Sequence, residues 1–559
     1  MLKVKIGGPA GLGIMTSGLI FSKLLKRIGY HVHGYQEYPS LIRGGYNNYL
    51  IIADNNETSA PYKRYDILVA LTDVALMNEK ITDDMVVLVD LENTKEKALL
   101  RGKVVDLPFK KILTASGANE IAKNSIALGA LVKLLNIDFG EFDKLLKENY
   151  PSEKLYKINY QTAKKGYSCV NESLSVKHSV KDSSNKLILT GNEAICLGAI
   201  TAGVNFFATY PMTPASSILH FLAEQELQFN IITKHTEDEI SAINMAIGAS
   251  FAGARSMVAT SGGGFSLMVE GLGLAAIAET PIVIVESQRP GPATGMPTWT
   301  EQADLKFVLN ASQDEFVRVV LTPGDVEELF YFTFDAFNLA EKYQIPVFIL
   351  SDKYLSESHF TTKSFKTDHL QIDRGLLFDG DPGKPMEFFP RYKEVENGIG
   401  MRTIPGTPGG LYKAPGNEHD EYGFVTDNAE NRVIQQDRRF KKIPEIIKEI
   451  PHPALYGADD ATITVVCWGS LKLQMMELLK YTNKVNFIHF PAIHPLDWSK
   501  VKALFENRNL VIVENNKTAQ LRSVIAEQTG IIIEKTILKY DGRPFFVDEL
   551  YEKLLGEVL

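Results

Sequence analysis

Residues 236–264 read TEDEISAINMAIGASFAGARSMVATSGGG. The stretch from Glu239 has the makings of a helix. Thr236-x-x-Glu239 has the form of a capping box, and Asp238 is also favourable beside the positive end of the helix dipole. SMVA, at 256–259, is a short apolar run of strand length, and TSGGG turns sharply into FSLMVEGLGLAA, again helix-like. Helix, strand, glycine turn and helix in succession predict an α/β fold. Ala242, Ala246, Gly248, Ala249, Ala252 and Gly253 make the first helix small-sided, so something packs closely against it.

The same alternation extends in both directions. From Leu187 to about 365 the strand candidates are LILTG, FFATYP, SMVATS, PIVIVES and PVFILSD. Residues 1 to about 180 begin with LKVKI, GGPAGLG and the helix-like IMTSGLIFSKLLKRIG. YLIIAD, DILVAL and VVLVD follow, which predicts an α/β unit with a parallel sheet. Between these two stretches, about 170–186 is rich in Ser, Lys, Asn and Asp and reads as a linker. Residues 366–450 are rich in Gly, Pro, Asp and Glu and poor in periodicity. They read as an inter-domain segment wrapped over its neighbours, since so long a loop is improbable inside one domain. From about 451 the α/β texture returns with TITVVCW, VNFIHF and LVIVEN.

At 559 residues the chain should hold three or four domains of about 150 residues. With 45% hydrophobic and 23% charged residues, it is not disordered, collagenous or coiled-coil. A net charge of −9 gives no basic footprint for nucleic acid. The basic cluster Arg438, Arg439, Lys441 and Lys442 reads as solvated surface. The longest apolar stretch, around 267–285, is broken by Glu270 and Glu279, so no membrane span is expected. Cys169, Cys196 and Cys467 lie far apart with no CxxC. They form neither a disulfide framework nor a zinc or iron–sulfur site, and the chain is expected in the cytoplasm with no metal of its own.

Candidate chemistry gathers at strand-to-helix junctions. GGPAGLG has its glycines in the order G-x-x-G-x-G, wrong for the dinucleotide fingerprint. It is either a tight turn or an anion cradle. Arg43-Gly44-Gly45 sets an arginine beside thin backbone, a weak signal alone. Tyr210-Pro211-Met212-Thr213-Pro214 fixes Thr213 between two prolines. Gly262, Gly263 and Gly264 of TSGGG give either a backbone-lined surface for a flat ligand or only a turn. Glu286-Ser287-Gln288-Arg289-Pro290-Gly291 continues to Thr298 and sets Arg289 in a stiffened loop suited to holding a carboxylate bidentately. Glu239 is either a helix cap or a carboxylate meeting a cofactor at a crowded helix start. All these junctions follow strands of one sheet at its carboxyl edge, and that convergence favours a site.

Taken in order, YPMTP, EDEISAINMAIGASFAGARSMVATSGGG, ESQRPGPATGMPT and EQADL closely resemble the α subunit of 2-oxoacid:ferredoxin (acceptor) oxidoreductases. GGPAGLG and EYPSLIRGG resemble the family's γ subunit, fused ahead of α, and VENNKTAQL and KYDGRPF carry the likeness to the C-terminus. Met212 stands where the family commonly has Ile, and Gly263 where it has Pro. The resemblance implies a γ (acceptor oxidoreductase catalytic) domain at 1–180 and a pyrimidine-type thiamine-diphosphate-binding domain at 187–365. The extended segment 366–450 and a transketolase C-terminal-like domain at 451–559 would complete the chain. It also implies oxidative decarboxylation of a 2-oxoacid with coenzyme A to acyl-CoA, CO2 and reduced ferredoxin.

Carried over residue by residue, the family's activating glutamate falls on Glu239, nine positions before Gly248, and Glu237 should face solvent. A carboxyl group near N1′ of the aminopyrimidine favours the imino tautomer, whose nitrogen removes the thiazolium C2 proton. Arg289 would pair the substrate carboxylate and Thr213 and Thr298 would hydrogen-bond its oxygens. Tyr210, Pro211, Gly262 and Gly263 would line the cofactor. No GDG motif for diphosphate and magnesium occurs. Mg2+ and the iron–sulfur cluster are therefore expected on a separate β subunit, with thiamine diphosphate shared between the two in an α2β2 heterotetramer. 2-Oxoglutarate is the first choice of substrate because the fused γα arrangement is common among its enzymes, followed by pyruvate and branched 2-oxoacids, with an indolepyruvate-type enzyme behind them. Two other classes stand beside this one: a nicotinamide-dependent dehydrogenase, opposed by the glycine order, and a non-catalytic partner subunit, opposed by the presence of Glu239, Arg289 and Thr213. The run Glu418-His419-Asp420-Glu421 offers metal-ligand types, but adjacent positions in one loop rarely converge on an ion.

Overall fold

The computed structural model describes residues 1–41, 44–174, 186–381, 388–557 and 559. Arg43 and the greater part of the stretch read as a linker lie outside the described residues. Two compact units form: Met1–Leu189 with Glu357–Ser364 and Phe545–Leu559, and Thr190–Ser356 with Phe365–Pro544.

The first unit is built on eight strands in the order Lys103–Asp106, Val86–Val89, Ile67–Ala70, Leu2–Pro9, Tyr46–Asp54, His31–Glu37, His359–Lys363 and Lys186–Thr190. Leu2–Pro9 pairs in parallel with Ile67–Ala70 but antiparallel with Tyr46–Asp54. The sheet is mixed where a parallel one was expected. Residues 38–45 are too few for a parallel crossover, which needs about a dozen, so His31–Glu37 and Tyr46–Asp54 return as antiparallel neighbours. LILTG also departs from expectation, because Lys186–Thr190 edges this sheet rather than opening the second one. The helix Ile14–Arg27 turns Ile14, Phe21, Leu24 and Leu25 into the core beside it, the spacing of one helical face.

The second unit contains two sheets. Seven strands run Ala492–His494, Val319–Leu321, Pro346–Asp352, Ile282–Gln288, Ser256–Thr260, Phe206–Thr209 and Ile232–His235. All neighbours are parallel except the edge strand Ala492–His494. Ser256–Thr260, Ile282–Gln288 and Pro346–Asp352 are buried along their whole length. Strands covered on both faces read as continuous apolar runs, which is why PIVIV and PVFIL were conspicuous. Five further strands, from Ala454–Tyr456 to Lys535–Leu538, make the sheet of the C-terminal stretch.

The segment 366–450 carries helices at Ala429–Phe440 and Ile443–Glu449 and isolated bridges such as Leu377 with Arg402. Here the basic cluster overturns its reading as solvated surface. Arg438 is 0% and Lys442 1% exposed, both paired with Glu279, and Arg439 is buried on Glu418 at 2.6 Å. Only Lys441 reaches solvent. Burial opposes the charge on Glu279, but Arg438, Lys442 and Arg391 together hold its carboxyl well below the usual range. The counter-charge for Arg438 and Lys442, Glu279, lies at a helix end far upstream, so charge spacing along the chain could not disclose it.

Candidate functional site

Parallel pairing sets the junctions side by side. Met257 is opposite Phe207 and Thr260 is opposite Glu286, so the loops after Phe206–Thr209, Ser256–Thr260 and Ile282–Gln288 leave adjacent strand ends. Ligands bind α/β sheets at such carboxyl edges. Arg289 ties two of the loops together, its Nη1 donating to the carbonyl oxygen of Thr213 at 2.6 Å. The guanidinium is 7% exposed. Burial lowers its pKa, against the pull of Glu286 and Asp304. Thr213 is half-buried, and its link to Arg289 runs through its backbone carbonyl.

Glu239 does not complete a capping box. Asp238 is the N-cap, its Oδ1 accepting from the Ser241 N–H at 2.8 Å, and Thr236 Oγ1 donates to the Asp238 carbonyl at 2.8 Å. Asp238 takes the cap in place of Thr236, whose hydroxyl is spent on the Asp238 carbonyl, and this leaves Glu239 as the first residue of the helix Glu239–Phe251. Its side chain is 3% exposed and Oε1 has no hydrogen-bond partner. A Cβ placed on Gly264 would lie 2.1 Å from Thr260 Oγ1 and 2.5 Å from Glu239 Oε1, so only glycine lets this carboxyl lie against the next helix start. An unsatisfied buried polar atom costs roughly 1–3 kcal/mol. Burial, with a smaller push from Asp238, raises the Glu239 pKa against a backbone hydrogen bond that lowers it. Glu237 is exposed, as expected, and accepts from Ser241 Oγ at 2.7 Å.

Other buried polar atoms without partners gather on the same loops: Thr298 Oγ1, Ser261 Oγ and both carboxyl oxygens of Glu286. Such atoms are rare in folded proteins, and several on adjoining loops mark a place prepared for a ligand. Asp352, at the end of the neighbouring strand, is the contrast. Its oxygens accept from Ser470 Oγ at 2.5 Å, the Leu355 N–H at 3.0 Å, Thr300 Oγ1 at 3.2 Å and Gln302 Nε2 at 3.4 Å. Tyr210 is exposed and Pro211 half-buried at the mouth of the first loop. Gly262 opens the helix Gly262–Ile277, and Gly263 after it is exposed.

These residues suit the pyrimidine end of thiamine diphosphate. Glu239 offers a buried oxygen with no hydrogen-bond partner, and Gly263 is exposed at the helix start, between Gly262 packed on Asp304 and Gly264 packed on Glu239. Reading the sequence missed Ser261, Glu286 and Asp304 as site residues, although all three lie inside the motifs quoted. Burial beside a glycine was the signal, and it becomes visible only once the strands are aligned. Glu418 and His419 are engaged elsewhere, Glu418 with Arg432 and Arg439, and His419 through Nδ1 with the Asn417 carbonyl at 2.9 Å. Among the described residues no His, Cys, Asp and Glu cluster could hold a metal ion, and no helix is long and apolar enough to cross a membrane.

Comparison with known proteins gives the family and the fold. Residues 197–438 match the family described as pyruvate flavodoxin/ferredoxin oxidoreductase, thiamine diphosphate-binding, and residues 3–169 match pyruvate ferredoxin/flavodoxin oxidoreductase. The 2-oxoacid:ferredoxin oxidoreductase subunit alpha of a Sulfolobus species is 32% identical over 98% of this chain and 96% of its own. The 2-oxoglutarate synthase subunit KorA of Methanothermobacter marburgensis is 32% identical over 67% of this chain and 99% of its own. Among solved structures, the 2-oxoglutarate:ferredoxin oxidoreductase of Magnetococcus marinus, with 2-oxoglutarate, coenzyme A and succinyl-CoA bound, superposes with a TM-score of 0.91. It is 28% identical and covers 99% of this chain and 98% of its own.

Proposed function

This chain belongs to the 2-oxoacid:ferredoxin oxidoreductase family, as a subunit of the α type, and we propose that it contributes the cofactor-activating and substrate-holding half of an active site. The observation that carries this is the Glu239 carboxyl: buried, its pKa raised by that burial, and with Oε1 lacking a hydrogen-bond partner among the described residues. Thiamine diphosphate, when bound, supplies the carbon nucleophile for decarboxylation of the 2-oxoacid. Glu239 holds a proton at N1′ of its aminopyrimidine, and Tyr210, Pro211, Gly262 and Gly263 line the ring. Arg289 pairs the substrate carboxylate with two parallel N–H donors, and Thr213 and Thr298 donate to substrate oxygens. Thr298 Oγ1, buried and unpartnered, is suited to that task.

The second half lies on a β-type partner, which we take to carry the diphosphate–magnesium site and the iron–sulfur centre in an α2β2 assembly that passes electrons to ferredoxin. In support, the helix Glu239–Phe251 exposes Ile240, Met245 and Gly248, and the helix Gly262–Ile277 exposes Leu267. A Cβ on Gly248 meets nothing within 4 Å, so among the described residues no element covers the small-sided face there. We place the γ-type domain at 1–180, the pyrimidine-type domain at 187–365, the extended segment at 366–450 and the transketolase C-terminal-like domain at 451–559, and the working compartment in the cytoplasm. 2-Oxoglutarate is the substrate we favour, on the names and bound ligands of the relatives above. The test is dye reduction by the assembled enzyme with coenzyme A and a panel of 2-oxoacids. A preference for 2-oxoglutarate supports the assignment; preference for pyruvate or a branched acid overturns it.

A further inference from the structure

Glu286 is the last but two of the residues in the central strand Ile282–Gln288, and its side chain is 0% exposed. Neither of its oxygens has a hydrogen-bond donor, in contrast to Asp352 on the adjoining strand end, which has four. The group facing it is another carboxyl, that of Asp304, at the start of the helix Leu305–Asn310. Asp304 is itself pressed against the glycine turn: a Cβ on Gly262 would lie 2.4 Å from Asp304 Oδ2. The Asp304 N–H donates to Gln288 Oε1 at 3.0 Å, which fixes the turn beside the strand. Two ionised carboxylates in this position have only acceptors to offer one another. A single proton between them turns the clash into a hydrogen bond and satisfies an oxygen on each side.

We propose that Glu286 and Asp304 share one proton, and that this buried acid pair sets how tightly Arg289 holds a 2-oxoacid anion. Arg289 is the cation facing the pair. Asp352 is a further acid that presses Glu286 towards retention of the proton, while Glu301 close by is itself pushed up by burial and by Asp304 and Asp541. Burial raises the Glu286 pKa well above the carboxylate range, with Asp304 reinforcing it, and burial holds Asp304 up to about 6. With one proton the pair carries a single negative charge, which balances the guanidinium. With none it carries two, which claim Arg289 and repel an incoming carboxylate. With two protons the guanidinium is left to the substrate alone. Binding of the anion is therefore coupled to retention or uptake of a proton by the pair. This rests on the reading of Arg289 as the carboxylate contact.

The test uses the assembled enzyme, with KM for the 2-oxoacid measured from pH 6 to 9. In the wild type KM should rise with pH towards a limit of about tenfold per unit, the slope for one linked proton. Glu286→Gln and Asp304→Asn, which keep the shape and can hydrogen-bond without a mobile proton, should each flatten that slope. An infrared difference spectrum between the folded wild-type chain and Glu286→Gln at pH 7 should show a protonated-carboxyl stretch lost in the variant. A pH-independent wild-type KM, variants with the wild-type slope, or no such band overturns the shared proton. Arg289→Lys with unchanged KM overturns the assignment of Arg289 instead, whatever the pair does.

Discussion

At residue scale, Glu239 and Arg289 are assigned different tasks, and substitution should separate them. Glu239→Gln keeps the helix, because Asp238 provides the cap, but removes the proton at N1′. C2–H exchange of bound thiamine diphosphate, followed by NMR in the assembled enzyme, should slow by at least about a hundredfold, the scale of general acid–base contributions. Glu237→Gln should change it little. Because burial raises the Glu239 pKa in the fold, the wild type carries a penalty absent at acid pH that grows as pH rises towards the folded-state value. Glu239→Gln avoids it, and should gain stability relative to the wild type as the pH rises above the ordinary carboxylate range, in unfolding measurements. Arg289→Lys loses the two-pronged contact, worth about 1.5–3 kcal/mol, so KM should rise by roughly 10- to 150-fold with C2–H exchange near normal. Glu239, Arg289 and Thr298 could be singled out in the sequence because family motifs carry them. The relation of Glu286 to Asp304 could not, since 18 positions separate them and only a folded loop brings them together.

At the scale of elements, the helix Glu239–Phe251 and the segment 366–450 illustrate what spacing can and cannot convey. The small residues of the helix correctly announced close packing, yet among the described residues the face around Gly248 is open. Gly248→Leu should therefore leave the fold intact, and even favour the helix by about 0.5–1 kcal/mol on propensity, while preventing assembly. Unfolding together with size-exclusion of the co-expressed subunits would show both effects. Parallel order in the catalytic sheet was readable from its continuous apolar strands. The antiparallel members of the first sheet were less so, because a strand's direction depends on connection length rather than on its own residues. Arg438 and Lys442 were misread as surface, for a charge's burial depends on a partner no local pattern reveals. Glu279→Gln should leave these cations buried with too little negative charge and cost about 3–5 kcal/mol, measurable by denaturant unfolding. Since Glu279 is held well below its ordinary pKa, the wild-type contribution should persist down to the usual carboxylate range and fade only as the pH falls through the depressed value.

At the scale of the whole molecule, the chain joins two compact units, and the second carries loops that prepare a cofactor site without its diphosphate motif. The central claim is that catalysis needs both this chain's Glu239 and a partner's metal-binding half. The most direct measurement is coenzyme A-dependent reduction of a viologen dye by 2-oxoacid, comparing the isolated chain, the chain co-expressed with its β-type partner, and that assembly bearing Glu239→Gln. Turnover is predicted for the wild-type assembly alone, with the isolated chain silent and the Glu239→Gln assembly reduced by at least about a hundredfold. Full turnover by the isolated chain, or an assembly indifferent to Glu239→Gln, would contradict the account.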